Sequence, residues 1–124
     1  MRRNPDLIRK ILLALEANDR ADTDKVELSG DRAERLSVPH HLEIMTEGGL
    51  LTHGFRHELH HGRDDYKIAS SLTAYGHELL DLIRDDSRWE SAKEKCRSAG
   101  LSPDWTWLVM ICEHKAKQAA TAGL

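Results

Sequence analysis

Aromatic residues are scarce in this sequence: Phe, Trp and Tyr make up 5% of its 124 positions, and three of those six residues are Trp. A core with so few rings must be built from Leu, Ile, Val and Ala, a composition that favours helices. Cysteine is scarcer still. Cys96 and Cys112 lie far apart, with no apolar leader before them, so a reduced, cytoplasmic protein is expected rather than a disulfide-stapled one. Apolar runs are short, as at Ile11–Leu15, far below the roughly 20 residues of a membrane span, so no membrane partner is expected. Neither sign of charge dominates: 18 Lys and Arg against 21 Asp and Glu leave a net charge of −3, which excludes a strongly basic nucleic-acid footprint. No nucleophile-and-base pair, Gly-rich phosphate loop or closed metal set is recognisable, so no enzyme, metal or cofactor is expected.

What is present describes a folded chain. Hydrophobic residues at 40% and charged residues at 31% suit one globular core of this length. Asn4 caps a helix expected over Pro5–Asn18, with Leu7, Ile8, Ile11, Leu12 and Leu15 at helical spacing. Lys25–Ser29 alternates polar and apolar residues and reads as a short edge strand. Asp31 and Glu34 form a capping box for a second helix ending near Leu36. Pro39 is expected at the first turn of a third helix, Val38–Glu47, with Val38, Leu42 and Met45 inward and His40, Glu43 and Glu47 outward, stopped at Gly48-Gly49. Leu50–Phe55 and Tyr66–Leu72 then read as the strands of a β-hairpin whose polar tip, His57–Asp65, turns at Gly62. Thr73 caps a helix ending at Asp85-Asp86, and Ser87 with Glu90 caps the next, which stops at Gly100. A last helix follows Ser102-Pro103-Asp104 with Trp105, Leu108, Val109, Cys112, Ala116 and Ala119 inward.

Helix, strand, two short helices, hairpin and helix are the order of a winged helix-turn-helix. The expected architecture is therefore mainly α with a small β-hairpin: a winged-helix-like domain over residues 1–86 and a C-terminal helical extension over 87–124 packed on the same core. In such a fold Arg32, Arg35, His40, Glu43, Arg56, His57, His60 and Arg63 would touch nucleic acid or a partner, with Arg2, Arg3, Arg9 and Lys10 as further phosphate contacts.

Three strings sharpen the comparison: DLIRKILL from Asp6, HHLEIMTEGGLL from His40 and LTAYGHELLDLIRDDSRW from Leu72 to Trp89. Together they resemble the bacterial and phage family known as domain of unknown function 2513, over about Pro5–Ala99. Its most specific part here is the Gly-His-Glu-Leu-Leu-Asp run before Ile83-Arg84-Asp85-Asp86. The resemblance implies a winged-helix-like fold and a phage or prophage context, and it carries over no catalytic residue.

Six of the eight histidines fall between His40 and His61, and His57-Glu58-Leu59-His60-His61 contains H-E-x-x-H. That pattern makes a zinc site only on a helix, where both His share a face; on an extended chain, residues four apart are about 13 Å from each other. A solvated loop is expected instead. Charge is uneven along the chain. Residues 21–63 carry five basic against eight acidic groups and residues 64–86 two against six, while both ends are basic. Glu43 and Glu47 oppose DNA on a reading helix, whose outward groups are ordinarily Arg, Lys, Asn or Gln. Trp105 and Trp107 stand about 200° apart on a helix, so one must be exposed and can anchor an interface. Cys96 and Cys112 fit as small core residues, and His77 as a buried histidine bonded to backbone. Two functions are expected, neither enzymatic: a phage-type DNA-binding transcriptional regulator or, as the alternative, a phage-encoded protein-interaction module that inhibits a host defence or transcription complex. DNA, a host protein complex or a second copy in a homodimer are the partners these admit.

Overall fold

A computed structural model describes residues 3–18, 26–52, 56–59 and 65–123, the strands by their backbone. These residues form five helices and three strands: α1 Pro5–Asn18, β1 Val26–Ser29, α2 Arg32–Glu47, β2 Arg56–Leu59, β3 Asp65–Ala69, α3 Ala74–Ile83, α4 Asp86–Ser98 and α5 Trp105–Thr121. The strands make one antiparallel sheet in the order β1-β3-β2. In its register Val26 and His57 both face Ile68 across the ladder, and Glu27 and Glu58 both face Lys67. β1 packs on α1 and β3 on α2, while α5 packs on α3 and α4. A single aliphatic cluster joins all five helices, from Leu7, Ile11 and Leu15 through Leu42, Leu80 and Ile83 to Trp89, Cys96, Leu108 and Cys112.

The winged helix-turn-helix expected from the sequence is not the fold. Its two short helices are one continuous helix, α2, capped by Asp31, whose side chain accepts from the Glu34 amide, and carrying Pro39 in its interior. Proline has no N–H for the carbonyl four residues back and normally ends a helix. Here Val38, His41, Leu42 and Met45 are buried on both sides of it, and the burial of that stripe outweighs one lost backbone bond. With no turn between Leu36 and Val38, the two short helices of the expected motif are a single helix.

The expected two-stranded wing is also corrected. Of the strand expected over Leu50–Phe55, Leu51 makes only an isolated bridge to Leu72 and residues 53–55 lie outside the described residues, while β2 runs over Arg56–Leu59 and so enters the expected polar tip at His57. β3 pairs on both edges, so the unit is a three-stranded sheet rather than a free wing. Polar composition misled here because a sheet's outer strand is stabilised by backbone pairing, which polar side chains do not prevent. α4 is capped two residues earlier than at the expected Ser87, by Asp85, whose side chain accepts from the Arg88 amide. Ala119 is exposed rather than inward, beyond the last buried residue of α5, Cys112.

Two joints close the body. At the first, α2 ends in a Schellman turn: Gly49 sits at φ +78°, a conformation open to glycine, and the Leu50 amide reaches back to the Met45 carbonyl at 2.9 Å. The Leu50 carbonyl then accepts from the Thr73 amide at 3.0 Å, while the Thr73 hydroxyl donates to the Gly49 carbonyl and accepts from the Gly76 amide. A Cβ at Gly76 would lie inside the contact distance of the Leu50 carbonyl oxygen. At the second joint, α1 clasps the turn between α3 and α4. Arg9 donates to the carbonyls of Ile83 at 2.8 Å and Arg84 at 2.7 Å and pairs with Asp86 at 2.6 Å. Its guanidinium lies 5.6 Å over the Trp89 ring, and the Trp89 indole N–H donates to Asp6 at 2.8 Å.

Candidate interaction groove

α5 decides which tryptophan is exposed. Its inward stripe, Trp105, Leu108, Val109 and Cys112, packs on the core, with the Trp105 ring 6.3 Å from Trp89 and tilted by 59°. Trp107, about 200° round the helix from Trp105, is therefore turned out and remains 42% exposed. Met110, three residues on, is exposed at 54%. At the start of α5, Asp104 makes no side-chain cap bond.

Here two cavities lie side by side, sharing Arg3 and Trp105. The larger, about 540 Å³, is lined by Arg3, Ser102, Asp104, Trp105, Thr106 and Trp107. The smaller, about 200 Å³, runs from Arg3 and Trp105 over Ile8, Met45 and Leu50 to Tyr75, whose ring is 53% exposed. The pair forms a trough with aromatic walls, one guanidinium from Arg3 and one carboxylate from Asp104.

Next to Arg3, the backbone amide of Asn4 is held by a histidine. His41 is buried on α2, where its Nε2 accepts the Asn4 amide N–H at 2.8 Å and its Nδ1 lies 2.8 Å from the Ser37 carbonyl oxygen. Burial lowers its pKa, the Ser37 bond opposes this, and nearby His40 lowers it further, so the net shift is downward. Elsewhere the titrating groups act as struts. Burial pushes the Asp6 carboxyl up, but the bonds from Trp89 and Lys93 and the charges of Lys93 and Arg9 outweigh it and hold it below the usual range. Arg84, bonded through two nitrogens to Glu16 at 2.8 and 2.7 Å, holds that carboxyl down as well. Burial pushes both cysteine thiols up, which makes them poor nucleophiles.

The residues expected to form one contact surface are not brought together. Trp105 and Trp107 line the trough; Arg32, Arg35, His40 and Glu43 line neither cavity. Arg32, Leu36, His40, Glu43 and Glu47 instead make a stripe along α2, exposed except for half-buried His40, and Arg35 is half-buried beside it. Arg56 and His57 lie on β2, while His60 and Arg63 fall outside the described residues. His57 and Glu58 stand on extended backbone, not the helix that an H-E-x-x-H zinc site needs. Among the described residues no group of three or more His, Cys, Asp or Glu could hold a metal ion. The buried histidine bonded to backbone is His41 rather than His77, which is half-exposed with Nδ1 3.7 Å from Glu16. His41 could have been found from its spacing, since 38, 41, 42 and 45 share one helix face. Nothing in the local sequence marks Tyr75 as a trough residue.

By architecture the described residues form a mainly helical domain with one three-stranded antiparallel sheet on a single core. It belongs to the family described as hypothetical protein DUF2513, whose model matches residues 2–102. A protein of Haemophilus influenzae described as uncharacterized is 36% identical over 101 residues, 82% of this chain and 83% of its own length. No solved structure matches. The family match stops just before α5, so Arg3 and Tyr75 lie within it and Trp105 and Trp107 beyond it. No described helix is long and apolar enough to cross a membrane.

Proposed function

We propose that the chain is a protein-interaction module of the cytoplasm that acts by binding, taking a segment of a partner protein with both apolar and polar side chains into the trough between α5 and Arg3. The observation that carries this is the lining. Arg3, Tyr75, Trp105 and Trp107 are the residue types that anchor protein interfaces, gathered round concave space. The other expected reading, a DNA-binding regulator, is favoured less because the two short helices expected for it form one continuous helix. The exposed stripe of α2 ends in Glu43 and Glu47, which would meet phosphates with like charge. Two buried free thiols favour a reducing compartment.

Photo-crosslinking tests the proposal. Benzoylphenylalanine in place of Trp107, and as a control in place of exposed Glu94 on α4, is irradiated in cells making the chain. A partner cross-linked from 107 and not from 94, insensitive to nuclease, is expected. The segment it identifies, made as a peptide, should change tryptophan fluorescence in the native chain and bind at least about tenfold more weakly to Trp107→Ala. Equal products from both positions, or products lost on nuclease treatment, would overturn it, and a cross-link to a second copy would make the partner the chain itself.

A further inference from the structure

The bond that holds the Asn4 amide, next to Arg3, depends on a missing proton. The Ser37 carbonyl can only accept, so the Nδ1 of His41 carries the hydrogen; Nε2 must then be bare, because it accepts from the Asn4 N–H. The ring is held as the neutral Nδ1–H tautomer. A proton on Nε2 would set two donors against each other and remove the acceptor on which Asn4 rests. Asn4 is in turn the cap of α1: its side chain accepts from the Leu7 amide at 3.2 Å and its carbonyl from the Ile8 amide at 3.0 Å. Arg3, which lines both cavities, is joined directly to that cap.

We infer that His41 is a proton-operated latch on the trough, an inference that rests on the trough being a docking site: neutral, it holds residues 3 and 4 in place, and protonated, it releases them. The surroundings offer the protonated ring no carboxylate among its hydrogen-bond partners. On its own helix it meets Ser37 and the His40 ring, edge-on at 5.7 Å. On α1 it meets Asn4, with Arg3 beyond; the charged pair that also joins these helices, Lys10 and Glu34 at 3.3 Å, is internally neutralised. β3, which also packs on α2, carries Asp65, Tyr66 and Lys67. Protonation therefore costs an acceptor and gains no counter-ion among the contacts of the ring. Burial and His40 hold the titration below the ordinary imidazole range, so the latch opens on acidification.

The test uses the full chain labelled with ¹⁵N between pH 7.5 and 5. Long-range ¹H–¹⁵N spectra should show Nδ1 protonated and Nε2 bare at pH 7.5. As Nε2 takes its proton, hydrogen-exchange protection of the Asn4 amide should fall by about tenfold or more with the same midpoint, and the indole N–H signal of Trp105 should move. His41→Gln, whose amide can accept from Asn4 and donate to Ser37 at every pH, should abolish both changes; if that variant does not fold, the matched midpoints in the native chain decide. Asn4 protection that stays constant while Nε2 titrates, or an Nε2 that stays bare until the chain unfolds, would overturn the latch. Cross-linking from position 107 at both pH values separates the two ideas. Loss of product only at low pH supports the latch, whereas no product at either pH removes the docking site while the Asn4 response still reports on His41.

Discussion

Arginine and tryptophan meet twice in this molecule, with opposite results. Where α1 clasps the α3–α4 turn, Arg9 covers Trp89 and spends its donors on two carbonyls and a carboxylate of the same chain, leaving its side chain 13% exposed. At the trough, Arg3 and Trp107 line open space beside an α5 N-terminus with no side-chain cap. The residue types are the same. What differs is whether the chain supplies their partners: donors and rings that find them within the fold stabilise it, and those left facing a concavity are available to another molecule.

The sharpest break of the closed region is Gly76→Ala. Its Cβ would strike the Leu50 carbonyl oxygen, a backbone atom tied to Thr73, so the joint cannot yield cheaply. A loss of about 3 kcal/mol is expected in denaturant titration, and a loss under about 0.5 kcal/mol would mean the joint is looser than described. Arg9→Lys comes next. The ammonium cannot span both carbonyls and Asp86 as the guanidinium fork does, and a loss of about 1–2 kcal/mol is expected, whereas Arg3→Lys should leave the melting curve nearly unchanged.

Acidification probes the strut between the two regions. The folded pKa of His41 lies below its unfolded value of about 6.5, so near and below that pH the unfolded chain binds a proton the folded chain does not. Stability from this group is complete above the unfolded pKa and is lost as pH falls through it toward the folded value. Thermal melts from pH 7.5 to 5 should show this decline, and His41→Gln should flatten it. The smallest expected effect is Trp107→Ala, within about 0.5 kcal/mol of native stability; a larger loss would place Trp107 with the closed joints instead of the trough.

Much of the helical framework was legible. Asn4-Pro5, Thr73 and Gly48-Gly49 mark ends by local chemistry, and α1 runs from Pro5 to Asn18 as its apolar spacing predicts. The strings that carry the family resemblance fall on the two joints: Gly49 and Leu50 meet Thr73 and Gly76, while Asp6 and Arg9 meet Trp89 and the end of α3. What misled was a signal that is local only in appearance. Pro39 reads as a helix start because most interior prolines are not rescued, and the rescue came from a buried stripe that two separate short helices did not require. The polar run at His57–Leu59 reads as a loop because its backbone pairing with β3, the next strand in the chain, leaves no mark on composition.

By itself, then, the sequence determined the helices that announce their own ends, the aliphatic stripe of each, and the fact that one of Trp105 and Trp107 must be exposed, since each of these follows from spacing within about one turn. Tertiary structure decided the rest. It made one helix of two, gave β3 a partner on each edge, drew Arg3 and Tyr75 to α5, and set His41 against an amide 37 residues away. Those outcomes depend on contacts between segments far apart in the chain. Such contacts are settled by the shared burial of several faces in one core, a sum that no single stretch of sequence contains.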